Sequence, residues 1–154
     1  MFTILKATSP RHLGEARALV IEYAGALGID LCFQDFEREL AHFPKPYAPP
    51  GGCLLVALEG DHVAGTVGLK QLDADTCEMK RLYVAPAHRG KNLGRQLADA
   101  VIAEGRAMGY KIMRLDTLAR MKEAGPLYKS LGFTEIPAYY QNPEADVIYM
   151  ERAL

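Results

Sequence analysis

The chain predicts an α/β fold with one mixed central sheet flanked by helices. Two patterns carry that expectation. Short alternating or continuous apolar segments of strand length recur between turn residues, while two longer stretches space their apolar residues as helices do. Residues 76–116 read as strand, helix, strand, the arrangement of a right-handed crossover between parallel strands. The 154 residues, 49% hydrophobic and 24% charged, suit a single domain over 1–154 with a core of its own. That composition excludes a disordered chain, a disulfide-stapled miniprotein and a collagen-like repeat.

The elements follow in order. Residues 2–6 alternate weakly and form a first strand. Ser9 caps a helix with Pro10 at its first position; Leu13, Ala16, Val20, Tyr23, Ala24 and Leu27 mark its buried face, and Gly28 stops it. A short second helix covers 34–42. Pro44, Pro46, Pro49 and Pro50, with Gly51 and Gly52, exclude regular structure over 44–52 and leave a surface loop or a substrate-side loop. Residues 53–58 and 63–72 form a hairpin about the turn at 59–62, and a long strand over 76–84 follows the turn at 73–75. After a loop at 85–92, a helix over 93–108 buries Leu93, Leu97, Ala100, Val101 and Met108 and stops at Gly109. A strand over 111–116, a shorter helix near 122–131 ended by Gly132, and a closing strand over 146–152 complete a β-α-α-β-β-β-α-β-α-β order, with room for a short strand at 133–136.

Several function classes lose ground at once. Lys and Arg number 18 and Asp and Glu 19, a net charge of -1, whereas an indiscriminate nucleic-acid binder is more basic. The longest apolar runs, such as 53–58, fall far short of the roughly 20 residues of a membrane helix. Cys32, Cys53 and Cys77 include no Cys-x-x-Cys, and the first residues lack the features of a signal peptide, so a reduced, cytoplasmic protein is expected. A P-loop fails because Gly90-Lys91 is followed by Asn92 and Ala85 stands where its first glycine belongs; Asn92 also breaks a dinucleotide fingerprint. His12, His42, His62 and His88 lack metal-ligand spacing, and no metal is expected. Ser9 and Ser130 sit in no nucleophile elbow, and Cys53 and Cys77 lie in apolar strand patterns that read as core.

The chemical signal lies in the strand, loop and helix start from Cys77 to Leu97. A helix N-terminus leaves backbone N–H groups unpaired, and its dipole attracts anions. Gly90 and Gly94 allow close backbone approach, and Arg89, Lys91 and Arg95 add positive charge. The residues alone support either a phosphate- or pyrophosphate-binding turn or an ordinary βα loop with solvated basic side chains.

The run from Glu78 to Leu97, followed by Leu127-Tyr128-Lys129-Ser130-Leu131-Gly132-Phe133, resembles the GNAT superfamily of acyl-CoA-dependent N-acyltransferases. The family loop, Arg/Gln-x-x-Gly-x-Gly/Ala, reads here Arg89-Gly90-Lys91-Asn92-Leu93-Gly94, with Asn92 in place of the middle glycine. Asn tolerates left-handed backbone better than most residues. The resemblance covers most of the chain and implies acetyl-CoA as cosubstrate. It implies that the backbone of Leu82, Tyr83 and Val84 pairs with the pantetheine arm, and that the N–H groups of Arg89, Gly90, Lys91, Asn92, Leu93 and Gly94 cradle the pyrophosphate. Strands ending near Val84 and Asp116 would splay to admit the thioester. An Asn that often contacts CoA before the last helix is replaced here by Met121.

Transfer by direct attack needs an amine that has lost its proton, a proton for the departing thiolate and a donor for the developing oxyanion. The resemblance makes Tyr128 the general acid, also a cofactor contact, and Glu78 the base, directly or through water; Asp116 is a reserve, and a backbone N–H of Leu82 to Val84 the oxyanion donor. Tyr47, Tyr139 and Tyr140 are candidates for the amine site, while Asp35, Glu37 and Glu39 read as a solvated helix face, with carboxylates that favour a cationic substrate as the alternative. The expected acceptor is an amine of a small molecule, peptide or protein, with a homodimer as a family-level expectation and neither nucleic acid nor membrane as partner. A non-catalytic acyl-CoA-binding or sensor protein and a nucleotide-binding domain are the competing readings.

Overall fold

The computed structural model describes residues 2–27, 36–142 and 144–154. The strands are β1 (Thr3–Lys6), β2 (Cys53–Glu59), β3 (His62–Gln71), β4 (Thr76–Val84), β5 (Ile112–Leu118), β6 (Thr134–Ile136) and β7 (Val147–Ala153). The helices are α1 (Pro10–Leu27), α2 (Phe36–Ala41), α3 (Leu93–Ala107) and α4 (Ala124–Ser130). One seven-stranded sheet runs β1-β2-β3-β4-β5-β7-β6. Among the described residues its only parallel pair is β4 with β5, the pair joined by the α3 crossover.

The mixed sheet and element order are as the sequence predicts, with local differences. The second helix is described from Phe36; the predicted Gln34 and Asp35 lie outside the described residues, as do Gly28 and Cys32. The proline-rich stretch is not wholly irregular, because Lys45–Tyr47 forms one 3-10 turn with Pro46 in it. The last helix starts at Ala124 rather than near 122. Pro126 falls in its first turn, where an N–H has no intrahelical acceptor.

The strand β2 is buried from Cys53 to Leu58 because the sheet is covered on both faces. Cys53, Leu55 and Ala57 pack with Leu97, Val101 and Met113 on the α3 side. Leu54, Val56 and Leu58 pack with Ala16 of α1 and with Tyr47 on the other. The same alternation governs the start of β4. Cys77 and Met79 enter the α3-side core. Glu78 and Lys80, at the intervening positions, project toward α1 and α2.

That alternation is reset at Arg81. Thr66 pairs with Tyr83 and Gly68 with Lys80, so Arg81 and Leu82 together oppose Val67 in a β-bulge. Arg81 is left-handed there, with φ 59°. Without the extra residue its side chain would enter the apolar α3 face; with it, Arg81 reaches α2. Its Nε donates to Glu39 Oε2 at 3.1 Å and its Nη2 to Glu39 Oε1 at 2.8 Å. The Tyr47 hydroxyl donates to Glu39 Oε2 at 2.7 Å. The Tyr47 ring lies where Gly68 has no side chain; a Cβ there would meet it at 2.7 Å.

Glu39 is therefore not part of a solvated face. It is 8% exposed, its partner Arg81 4%, while Glu37 is exposed. Burial alone would raise the Glu39 carboxyl, but the Arg81 hydrogen bonds and charge hold it below its usual range. A carboxylate depressed in the folded state contributes stability that is fully present above its unfolded pKa and is lost as pH falls through the folded one.

Two outcomes follow. In urea melts at neutral pH, Arg81→Met should cost about 3–5 kcal/mol, because it keeps the strained backbone but strands a buried carboxylate. The wild-type chain should lose stability as pH drops below about 4.5, the ordinary glutamate value. Glu39→Gln should flatten that acid limb, an equal slope in both proteins being the opposing result.

Candidate active site

The parallel pair β4 and β5 is hydrogen-bonded only where it begins, with Thr76 opposite Ile112, Cys77 opposite Met113 and Glu78 opposite Arg114. Beyond these residues β4 continues to Val84 and β5 to Leu118 without pairing. This is the splaying that the family resemblance implies. It leaves one backbone edge of β4 open in the middle of the sheet. Met79, Lys80, Arg81 and Leu82 wall the resulting gap on one side, Leu115, Asp116, Thr117 and Leu118 on the other, and Tyr128 also borders it.

At one end the gap meets the loop before α3. Gly90 has φ 80°, and Asn92 has φ 62° and ψ 19°. Asn92 thus adopts the left-handed backbone that its residue type tolerates. The N–H groups of Gly90 through Arg95 have no protein acceptor among the described residues; Gln96 is the first to bond back, to the Asn92 carbonyl at 3.2 Å. A 15-residue helix stands behind them. Together these groups and the helix dipole suit an anion. A Cβ on Gly94 would approach the protein no closer than 3.9 Å, at Val84, so protein packing does not demand glycine there.

A groove of about 460 Å³ passes this helix end, lined by Leu82, Tyr83, Val84, Arg89, Gly90, Asn92, Leu93, Gly94 and Tyr128. Lys91 does not line it; its ammonium lies 5.7 Å from the Phe2 ring. Arg89 is fixed by donating Nε to the Val84 carbonyl at 3.1 Å, with its guanidinium 5.3 Å from the Tyr83 ring. Arg95 donates to Ser130 Oγ at 2.9 Å. Met121 borders both groove and gap.

Tyr128 stands where the two spaces join. It is buried, edge-on to Phe133 with ring centroids 6.0 Å apart. Burial first, then the neighbouring Tyr23 and Asp116, push its phenol well above the usual range, so it stays protonated at neutral pH.

Beyond the gap, toward α2, a cleft of about 830 Å³ opens over Glu78, Lys80, Tyr139 and Tyr140. Glu78 is 3% exposed. Its Oε2 accepts from the Tyr139 hydroxyl at 2.6 Å, and its Oε1 lies 3.7 Å from Lys80 Nζ. Asp116 accepts from the Tyr140 hydroxyl at 2.7 Å. Burial, then Glu78, raises the Tyr139 phenol; burial, then Asp116, raises that of Tyr140. Burial lowers the Lys80 ammonium, opposed by Glu78. Tyr139 and Tyr140 also stack edge-on to each other and to Tyr149, at 5.2 to 5.4 Å between centroids. Tyr47 borders the cleft, but its hydroxyl is committed to Glu39.

The structure thus brings Glu78, Tyr128 and the loop of residues 89–94 around three adjoining spaces, the groove and gap sharing Leu82 and Tyr128 and the gap and cleft sharing Lys80 and Arg81 as lining. Sequence reasoning missed Lys80 and Arg81, whose places depend on the bulge and on α2. The Cys53 and Cys77 thiols are buried and pushed up to about 11 and about 12, as core cysteines. Among the described residues no group of His, Cys, Asp and Glu is placed to hold a metal ion, and no helix is long and apolar enough to cross a membrane.

Comparison with known proteins agrees with this geometry. The acetyltransferase (GNAT) family model matches residues 18–133. An uncharacterized N-acetyltransferase of Schizosaccharomyces pombe is 42% identical over 143 residues, covering 92% of this chain and 88% of its own. The crystal structure of an acetyltransferase from Streptococcus agalactiae superposes with a TM-score of 0.80 at 25% identity, over 99% of this chain and 98% of that one. The fold is also that of yncA from Salmonella typhimurium, determined with its cofactor acetyl-CoA: TM-score 0.72, 24% identity, 99% and 94% of the two chains. The chain is an acyltransferase and belongs to the GNAT acetyltransferase family.

Proposed function

We propose that the protein moves the acetyl group of acetyl-CoA onto an amine by direct attack in a ternary complex. The observation that carries this reading is the succession of adjoining spaces, from the unpaired N–H groups ahead of α3, past the open edge of β4 and Tyr128, to Glu78. A donor laid along it meets complementary groups in sequence. The N–H groups of Gly90 to Gly94 and the side chain of Arg89 hold the pyrophosphate. The open edge of Leu82 to Val84 takes the amide groups of the pantetheine arm as a further strand would. Acetyl-CoA supplies the activated acetyl thioester.

The remaining chemistry belongs to the chain. Glu78 takes a proton from the incoming amine, directly or through one water; a carboxylate offers about four acceptor sites, so the Tyr139 hydrogen bond leaves room for it. An unpaired N–H of the β4 edge stabilises the charge that develops on the carbonyl oxygen. Tyr128 gives its proton to the departing thiolate. Its raised pKa keeps the phenol protonated at neutral pH, so the proton is at hand when the thiolate departs. Met121 removes one side-chain contact to the donor and leaves the backbone contacts as its main hold.

Acetyl-CoA or CoA at 100 times its Kd should stabilise the fold by about 2.7 kcal/mol in thermal melts, with no shift from ATP or NAD. A shift from ATP alone would favour the nucleotide-binding reading. Tyr128→Phe should lower kcat by about 100-fold and leave acetyl-CoA binding intact. Saturable binding without transfer to any amine would instead favour an acyl-CoA-binding protein.

A further inference from the structure

We infer that the acceptor amine carries at least one carboxylate, received by Lys70 and Lys45 while the amine sits against Glu78. The inference rests on the acetyl-transfer reading and names the acceptor class for the same site.

Among the described residues, the lining of the acceptor cleft carries more cations than carboxylates: Arg38, Lys45, Lys70, Lys80 and Arg81, against Glu39 and Glu78. Both carboxylates already have a cation: Glu39 binds Arg81 through two hydrogen bonds, and Glu78 has Lys80 at 3.7 Å. Lys45 and Lys70 have no carboxylate partner among the described residues. Both are exposed, one from the turn after α2 and one from β3.

Their placement relative to the proposed base matters more than their number. Lys70 is the cross-strand partner of Glu78. Directly opposed residues of antiparallel strands share a face, with Cβ atoms about 4.5–5.5 Å apart. A cation on a flexible stem therefore stands beside the group that would accept the amine proton. An acceptor whose amine and carboxylate are a few bonds apart can satisfy Glu78 and Lys70 at once. The same field selects against a second positive charge on the acceptor. It also helps the first step, since cations around an arriving ammonium favour its neutral form.

The test compares amines that differ only in their acid groups. Transfer at saturating acetyl-CoA is measured for L-glutamate, for its fully amidated analogue and for spermidine. The dicarboxylic amine should show kcat/KM about tenfold above the amide, with spermidine lowest. Lys70→Gln and Lys45→Gln, at exposed positions, should raise KM for glutamate about fivefold more than for the amide. Equal or better use of the amide or of spermidine overturns the inference. Calorimetric titration of glutamate and the amide in the presence of CoA separates the two readings. Lys70-dependent glutamate binding without any acetylated product would overturn the transfer reading and uphold the anionic acceptor site. Binding that ignores Lys70 and the carboxylates would overturn the acceptor inference even where transfer occurs.

Discussion

The parting of β4 from β5 is the constraint on which the rest of the site depends. Two parallel strands that stayed paired to their ends would leave neither an open backbone edge nor a passage between the faces of the sheet. Here pairing stops after Glu78 and Arg114, and a few residues later β4 bulges at Arg81. A left-handed arginine is strained by about 1–3 kcal/mol and persists only where its surroundings determine it. Glu39, Tyr47 and the bare backbone of Gly68 do so: the ring occupies the space over Gly68, its hydroxyl orients the carboxylate, and the carboxylate holds the Nε–Nη2 edge of the guanidinium. A buried ion pair adds little net stability over an apolar pair of the same shape. What this one supplies is position, tying α2 to the strand where the sheet opens.

The two proposed proton-handling groups owe their difference to their settings. Tyr128 has Phe133 edge-on to its ring and is buried, so desolvation disfavours its phenolate. Glu78 is more buried still but sits among polar partners, a phenol at 2.6 Å and an ammonium at 3.7 Å. Separating an acid from a base by the polarity of their surroundings is how one site carries both roles at a single pH. The gap between β4 and β5 keeps them on one path while each retains its own environment.

Much of the fold was legible because it is written in short-range patterns. The β2 run and the α3 stripe declare their periods directly, and Asn92 declares a left-handed turn by its residue type. The bulge at Arg81 has no such signature. Cys77 to Val84 reads as one uninterrupted strand, and only its register against Val67 shows the extra residue. Glu39 misled for a related reason. On a six-residue helix with Glu37 and Arg38 it looks like one more exposed charge, and its burial depends on an arginine 42 residues away. The hydrogen bonds of Tyr139 to Glu78 and Tyr140 to Asp116 also join distant segments, so the sequence could nominate the tyrosines but not their partners.

This division has a chemical counterpart. The donor end of the proposed site is made mostly of backbone: N–H groups ahead of a helix and one edge of a strand. Backbone recognition needs a particular chain path, and glycine, asparagine and turn residues at fixed spacing encode that path locally. The acceptor end is made of side chains from α2, the turn after it, β3, β4 and the 139–140 segment. The exposed ones among these can change without altering the chain path, as Lys45 and Lys70 illustrate, since neither packs in the core. A fold arranged this way can hold its donor constant while substitutions at a few cleft positions retune the charge presented to the acceptor. The proposed donor is therefore nominated by a local motif, whereas the acceptor must be read from the electrostatics of the assembled cleft.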